Sequence, residues 1–147
     1  MAGLPKLISL AERKSDNALL AWQRLKAQCD DALAKLALLR EHCQRYHRLL
    51  RDRLDAGMPA VSTTAYLGFI EQIEEVVQRQ QNEVGRLETA CAAQWQELMT
   101  LRREKRVYEI VHERAVEREL AAALRRSQAE IDDTLQRAVK APYAPRS

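Results

Sequence analysis

Residues 55–64 read Asp55-Ala56-Gly57-Met58-Pro59-Ala60-Val61-Ser62-Thr63-Thr64. This is the only cluster of turn residues between Pro5 and Pro142, and its reading decides the fold. Gly57 can take the positive φ of the residue that follows a helix. Pro59 blocks continuation, and Ser62, Thr63 or Thr64 can each cap a new helix. On either side the chain is rich in Ala, Leu, Glu, Gln and Arg, which favour helix, and poor in Gly and Pro. One short turn between two helical stretches makes them antiparallel neighbours. The expected fold is all-α: a long antiparallel two-helix coiled-coil hairpin. Such a hairpin has no room for an enclosed pocket, so any function lies on its surface and at its two ends.

The boundaries follow from the turn outward. Pro5 fits a first helical turn and Ser9-x-x-Glu12 a capping box, so helix 1 is expected over about residues 5–56. The turn takes 57–62 and helix 2 about 63–139, making a single domain of residues 1–140. The tail 141–147, with Pro142 and Pro145, is expected to be disordered. A walk in alternating steps of four and three residues from Leu4 meets Ile8, Ala11, Ser15, Ala18, Trp22, Leu25, Cys29, Ala32, Leu36, Leu39, Cys43, Tyr46 and Leu50 before Arg53. An apolar seam of that period marks coiled-coil packing. The same walk from Tyr66 is less clean, because Gln80, Gln94, Lys105 and His112 interrupt it. The core is expected to contain Trp22, Leu25, Cys29, Leu36, Cys43, Ile70, Val77, Val84, Leu87 and Trp95.

Folding back at Met58-Pro59 pairs residues whose numbers sum to roughly 117. Cys43 then faces Ile73, and Trp22 faces Gln94-Trp95. The arms are unequal: helix 2 runs on past the start of helix 1 by about 25 residues, or ~40 Å at 1.5 Å per residue. That extension still carries an apolar stripe of Leu120, Leu124, Ile131 and Leu135, accompanied by Arg118, Arg125, Arg126, Arg137 and Lys140. An unpaired stripe calls for a partner. Docking into another protein is one reading, and fraying or self-association is the other. Leu120, Leu124, Arg125, Arg126 and Ile131 are the expected contact residues. At the turn end Tyr46, Leu49, Tyr66, Leu67, Phe69, Ile70 and Ile73 crowd together. Leu49, Leu67 and Phe69 exceed what a two-helix seam can bury.

Charge divides the chain but excludes more than it assigns. Lys and Arg number 24 and Asp and Glu 21, a net charge of only +3 with both signs interleaved. That argues against a nucleic-acid partner, even at the basic run Arg102-Arg103-Glu104-Lys105-Arg106. Residues 62–99 carry six Glu against Arg79 and Arg86, whereas both flanking regions are basic. No run of about 20 apolar residues could span a membrane, and Met1–Pro5 does not resemble a signal peptide. Cys29, Cys43 and Cys91 fall on the apolar seam without a CxxC spacing, which fits reduced structural thiols. His42, His47 and His112 form no HxxxH or HExxH pattern. Cys43 and His47 share a face, but metal ligation would need further ligands, and none is expected nearby. The expectation is therefore no enzyme, no metal, no cofactor and no small-molecule ligand.

The segment Tyr66-Leu67-Gly68-Phe69-Ile70-Glu71-Gln72-Ile73-Glu74, followed by Gln80, then Ala92-x-x-Trp95 and a basic, Ala-rich end, resembles the FliJ family of the flagellar type III export apparatus. The resemblance covers most of the chain. It implies a non-enzymatic stalk whose open end sits in the hexameric export ATPase. The body reaches the export-gate membrane protein of FlhA type, and export chaperones are further partners. It implies a cytoplasmic location, peripheral to the inner membrane at the flagellar base. The gate-contacting surface falls on Leu39, Tyr46, Phe69 and Ile73. Lys35, His42, Val76 and Gln80 share that face but depart from the family pattern. The corresponding stalk of a virulence-type secretion system and a homo-oligomeric coiled-coil scaffold are the competing readings.

Overall fold

The structure, a computed structural model, describes residues 3–140, so the tail at 141–147 lies outside the described residues. Two helices make up nearly all of it. Helix α1 is Leu4–Asp55, 52 residues, and α2 is Ala60–Lys140, 81 residues. They pack against each other, the second is the longer, and no strand occurs among the described residues.

Helix α1 stops at the glycine. Gly57 has φ of 89°, and the amides of Gly57 and Ala56 return to the carbonyls of Leu54 and Asp52 at 3.1 Å each. An L side chain at that φ is strained, which is why glycine stands there. Helix α2 starts earlier than the Ser and Thr residues suggest. It begins at Ala60, directly after Pro59, and the Thr63 amide donates to the Pro59 carbonyl at 3.0 Å. The Thr63 and Thr64 hydroxyls do not cap. They donate back to the carbonyls of Pro59 and Ala60 at 3.1 Å each, as threonines inside a helix do. Proline, already locked near a helical φ, prepares the first turn in their place.

The chain divides into two compact units, Lys14–Leu101 and a second one that joins the first turns of α1 to the part of α2 from Arg102 onward. Lys14–Leu101 is an antiparallel pair. Cys29, Ala32, Leu36, Val84 and Leu87 form its buried centre, with Leu25 and Val77 packed against them. Ser15, Ala18, Leu50, Ile70 and Leu98 are buried as well. The Trp22 and Trp95 rings lie 5.0 Å apart, tilted by 52°, so the expected pairing of the two tryptophans is observed. Near the turn, the Arg53 guanidinium sits 5.2 Å from the centre of the Tyr66 ring. The polar end of the α1 seam is therefore a cation on an aromatic face.

The two glutamines that break the α2 seam have a structural role. Gln80 Nε2 donates to the Ala32 carbonyl at 3.0 Å, and Gln94 Nε2 donates to the Ala18 carbonyl at 3.3 Å. Each half-buried amide lies across from an alanine, whose small side chain leaves room for the longer one to reach backbone. Both steps are two heptads: Gln80 to Gln94 on α2, Ala32 to Ala18 on α1. A polar residue at a seam position that finds one partner at one register helps to define that register.

In the second unit, Leu4 and Ala11 are buried and Ile8, Lys105, Tyr108, His112 and Ala115 are half-buried. From Val116 to Lys140 every residue except Ala122 is exposed. Helix α1 begins at Leu4, so no turn of it remains to cover these later turns of α2.

Candidate functional site

Three groups of residues are candidates for a functional site, and the helix pairing treats them differently. The first is the face near the turn. Tyr46 from α1 and Phe69 from α2 meet edge to face, their ring centres 4.9 Å apart at 85°. This geometry sets the positive edge of one ring against the negative face of the other. Leu39, Tyr46 and Ile73 are half-buried, whereas Phe69 remains 44% exposed despite that contact. Pairing fixes the ring and leaves much of it facing solvent. Leu67 is also exposed, and Leu49 is half-buried. Of the less family-like positions, Lys35, His42 and Val76 are exposed, but the Gln80 amide is engaged on Ala32.

The second group is the run beyond Ala115. Leu120, Leu124 and Ile131 are 60%, 63% and 52% exposed, and Leu135 and Val139 are exposed with them. Arg125 and Arg126 are exposed beside this stripe. Arg137 pairs with Asp133 at 3.0 Å within its own helix, an exposed (i, i+4) pair.

The third group was not legible as a site. Cys43 and His47 lie one turn apart on α1, and Glu74 reaches them from α2. The His47 Nε2 and Glu74 Oε1 atoms are 2.9 Å apart, and one ligand atom from each of the three residues lies within 4.8 Å of the others. The expectation that Cys43 and His47 lack a nearby third ligand is therefore corrected. The missing member is on the other helix, where spacing along one helix cannot find it. Burial, and after it the Glu74 carboxylate, pushes the Cys43 thiol up, which makes it a poor nucleophile at neutral pH.

The residues read as core are placed as follows. Cys29, Leu36, Ile70, Val84 and Leu87 are buried, and Trp22, Leu25, Cys43 and Val77 are half-buried. Trp95 is 39% exposed and leans on Trp22 from the edge of the seam. Gln94 holds the seam position itself, and the next residue along an α-helix is rotated by about 100°. Burial also raises the Cys29 thiol, in keeping with a structural cysteine.

The family described as Flagellar FliJ protein matches residues 1–142. The chain belongs to the FliJ family. It is accordingly a coiled-coil protein of flagellar export, in a family of non-catalytic export components. No curated protein and no solved structure matches it. Among the described residues, no helix of this FliJ-family chain is long and apolar enough to cross a membrane.

Proposed function

We propose that this FliJ-family chain is the non-enzymatic stalk of the flagellar type III export apparatus. The exposed end of α2 docks into the hexameric export ATPase through Leu120, Leu124, Arg125, Arg126 and Ile131. The face carrying Leu39, Tyr46, Phe69 and Ile73 contacts the FlhA-type gate, and export chaperones are escorted by the same protein. It works in the cytoplasm, peripherally associated with the inner membrane at the flagellar base.

The observation that carries this reading is the exposed stripe from Leu120 to Leu135 on a helix that has outrun its partner. Burying apolar surface recovers about 25 cal/mol per Å², so a partner that covers the stripe gains affinity. Arg125 and Arg126 add donors suited to carboxylates at the rim of such a contact. A stalk of this kind does no chemistry. A single asymmetric helix end inside a sixfold ring touches each subunit differently. It therefore shifts the populations of ring states only through its different affinities for them.

The deciding experiment is ATPase turnover with the double variant Leu124→Asp/Ile131→Asp. Both positions are exposed, so helicity should be kept while stimulation of the ring is lost; unchanged turnover would remove the extension from the mechanism. Sedimentation of the free protein separates the scaffold reading, since a stable four-helix dimer would mean that the stripe is covered by a second copy. At the other end, Phe69→Ala should weaken gate binding with helicity unchanged. Unfolding in its place would make Phe69 a packing residue only.

A further inference from the structure

Cys43, His47 and Glu74 are the one group of three or more His, Cys, Asp or Glu side chains converging closely enough to hold a metal ion among the described residues. Their chemistry is that of a ligand set. A thiolate, an imidazole and a carboxylate are the three side-chain types that zinc takes, and the mixture of soft and borderline donors favours it over calcium or magnesium. Their placement is also that of a ligand set. Two ligands at i and i+4 share one face of a helix, the spacing by which helical metal sites present two donors to one ion. The third arrives from the antiparallel neighbour, 27 residues on from His47.

We propose that Cys43, His47 and Glu74 form a binding site for a zinc-class divalent cation that ties α1 to α2. Tetrahedral zinc places its nitrogen and oxygen ligands about 3.3 Å apart and sulfur and nitrogen about 3.6 Å apart. The His47 to Glu74 separation of 2.9 Å must open slightly, and the three ligand atoms already lie within 4.8 Å of one another. His47 and Glu74 are both exposed and can turn to do so, and their exposure gives the ion an entry path. Three protein ligands leave a fourth position for water or an anionic ligand, as at open zinc sites. Binding is proton-balanced. The Cys43 S–H bond breaks, a sulfur–metal bond forms, and the proton leaves to buffer. The Nε2–H that His47 donates to Glu74 is lost and Nδ1 carries the ring proton, so that the neutral imidazole binds through Nε2. Glu74, already a carboxylate, exchanges its hydrogen bond to His47 for the ion.

None of its three ligands is among the residues assigned to the proposed docking surfaces, although His47 and Glu74 are next in sequence to Tyr46 and Ile73. Its test uses the reduced full-length chain titrated with Co²⁺, a spectroscopic substitute for Zn²⁺, with Zn²⁺ affinity measured by calorimetry. The expected result is one ion per chain and a thiolate-to-cobalt charge-transfer band. Cys43→Ser should abolish the band, while Cys29→Ser and Cys91→Ser leave it unchanged. His47→Gln and Glu74→Gln should each weaken Zn²⁺ binding by at least the roughly tenfold that loss of even an outer-shell partner costs. Zn²⁺ should raise the melting temperature of the wild type and not of Glu74→Gln, because only Glu74 carries the tie to α2. Far-UV circular dichroism confirms folding of each variant, and Cys43→Ala replaces Cys43→Ser if the latter does not fold. Absence of the band, its survival in the Cys43 variant, or an affinity indifferent to Glu74→Gln would each overturn the proposal.

Discussion

Leu98 and Leu124 lie on the same helix, in stretches of similar composition, and their surroundings are opposite. Leu98 is 0% exposed and Leu124 is 63% exposed. Leu98 belongs to the unit Lys14–Leu101, where α1 runs alongside; Leu124 lies where no turn of α1 remains. The comparison teaches that an apolar stripe on a helix states a need and does not say what meets it. In one region the chain supplies its own partner. In the other the stripe is left to solvent, and the FliJ-family assignment with the exposed arginines points to an external one.

The largest expected effect tests that contrast directly. Leu98→Ala should lower unfolding stability by about 2–5 kcal/mol, the cost of a truncated buried leucine, whereas Leu124→Ala should change it by less than about 0.5 kcal/mol. Urea unfolding followed by circular dichroism measures both, and equal losses would erase the distinction between the regions. Next is the turn that makes self-pairing possible. Gly57→Ala places a Cβ at φ of 89° and should cost about 1–2 kcal/mol. The space around that Cβ is open, so the cost is backbone strain alone. A smaller effect is expected inside the paired unit: Gln80→Ala removes the hydrogen bond to the Ala32 carbonyl and should cost about 1 kcal/mol. A shift of the Trp22 and Trp95 fluorescence in that variant would sharpen the contrast by showing that the glutamine also holds register.

The smallest effect belongs to the exposed ion pairs. Arg86 donates from Nε and Nη2 to the two carboxylate oxygens of Glu83, and that contact holds the Glu83 carboxyl below its ordinary value. A depressed carboxylate stabilises the folded state above its unfolded pKa and loses that contribution as pH falls through its folded one. Wild type and Glu83→Gln should therefore differ most near neutrality and converge on the acid side of the ordinary glutamate range. The difference should be slight and should shrink further in high salt, because the pair is exposed. Paired thermal melts at both pH values check this.

Much of the architecture is legible along the chain. A seam of period three and four, a lone glycine-proline turn and unequal arms lead to two paired helices of different length. The register that sets Trp22 beside Trp95 follows from the turn alone, because helical rise is constant and pairing outward from one turn accumulates little error. Other features resisted such reading. The Ser62–Thr64 cluster looks like a cap, but Pro59 initiates the helix first. Gln80 and Gln94 look like defects until Ala32 and Ala18 are seen to leave room opposite them. Glu74 looks like one more solvated acid, although the register near 117 does set it across from Cys43. The seam walk assigns that place to Ile73, and only side-chain directions show that Glu74 reaches over the edge.

By itself the sequence determined what each helix must do: where it stops, which stripe it must bury, and how far the second outlasts the first. These are local consequences of backbone conformation and of a fixed helical period. Only the tertiary structure decided which side chains meet across the pair: Tyr46 with Phe69, the glutamines with alanine carbonyls, and Cys43 and His47 with Glu74. The reason is that contact between two helices depends on their relative rotation and on the reach of each rotamer, and neither is a property of one helix alone.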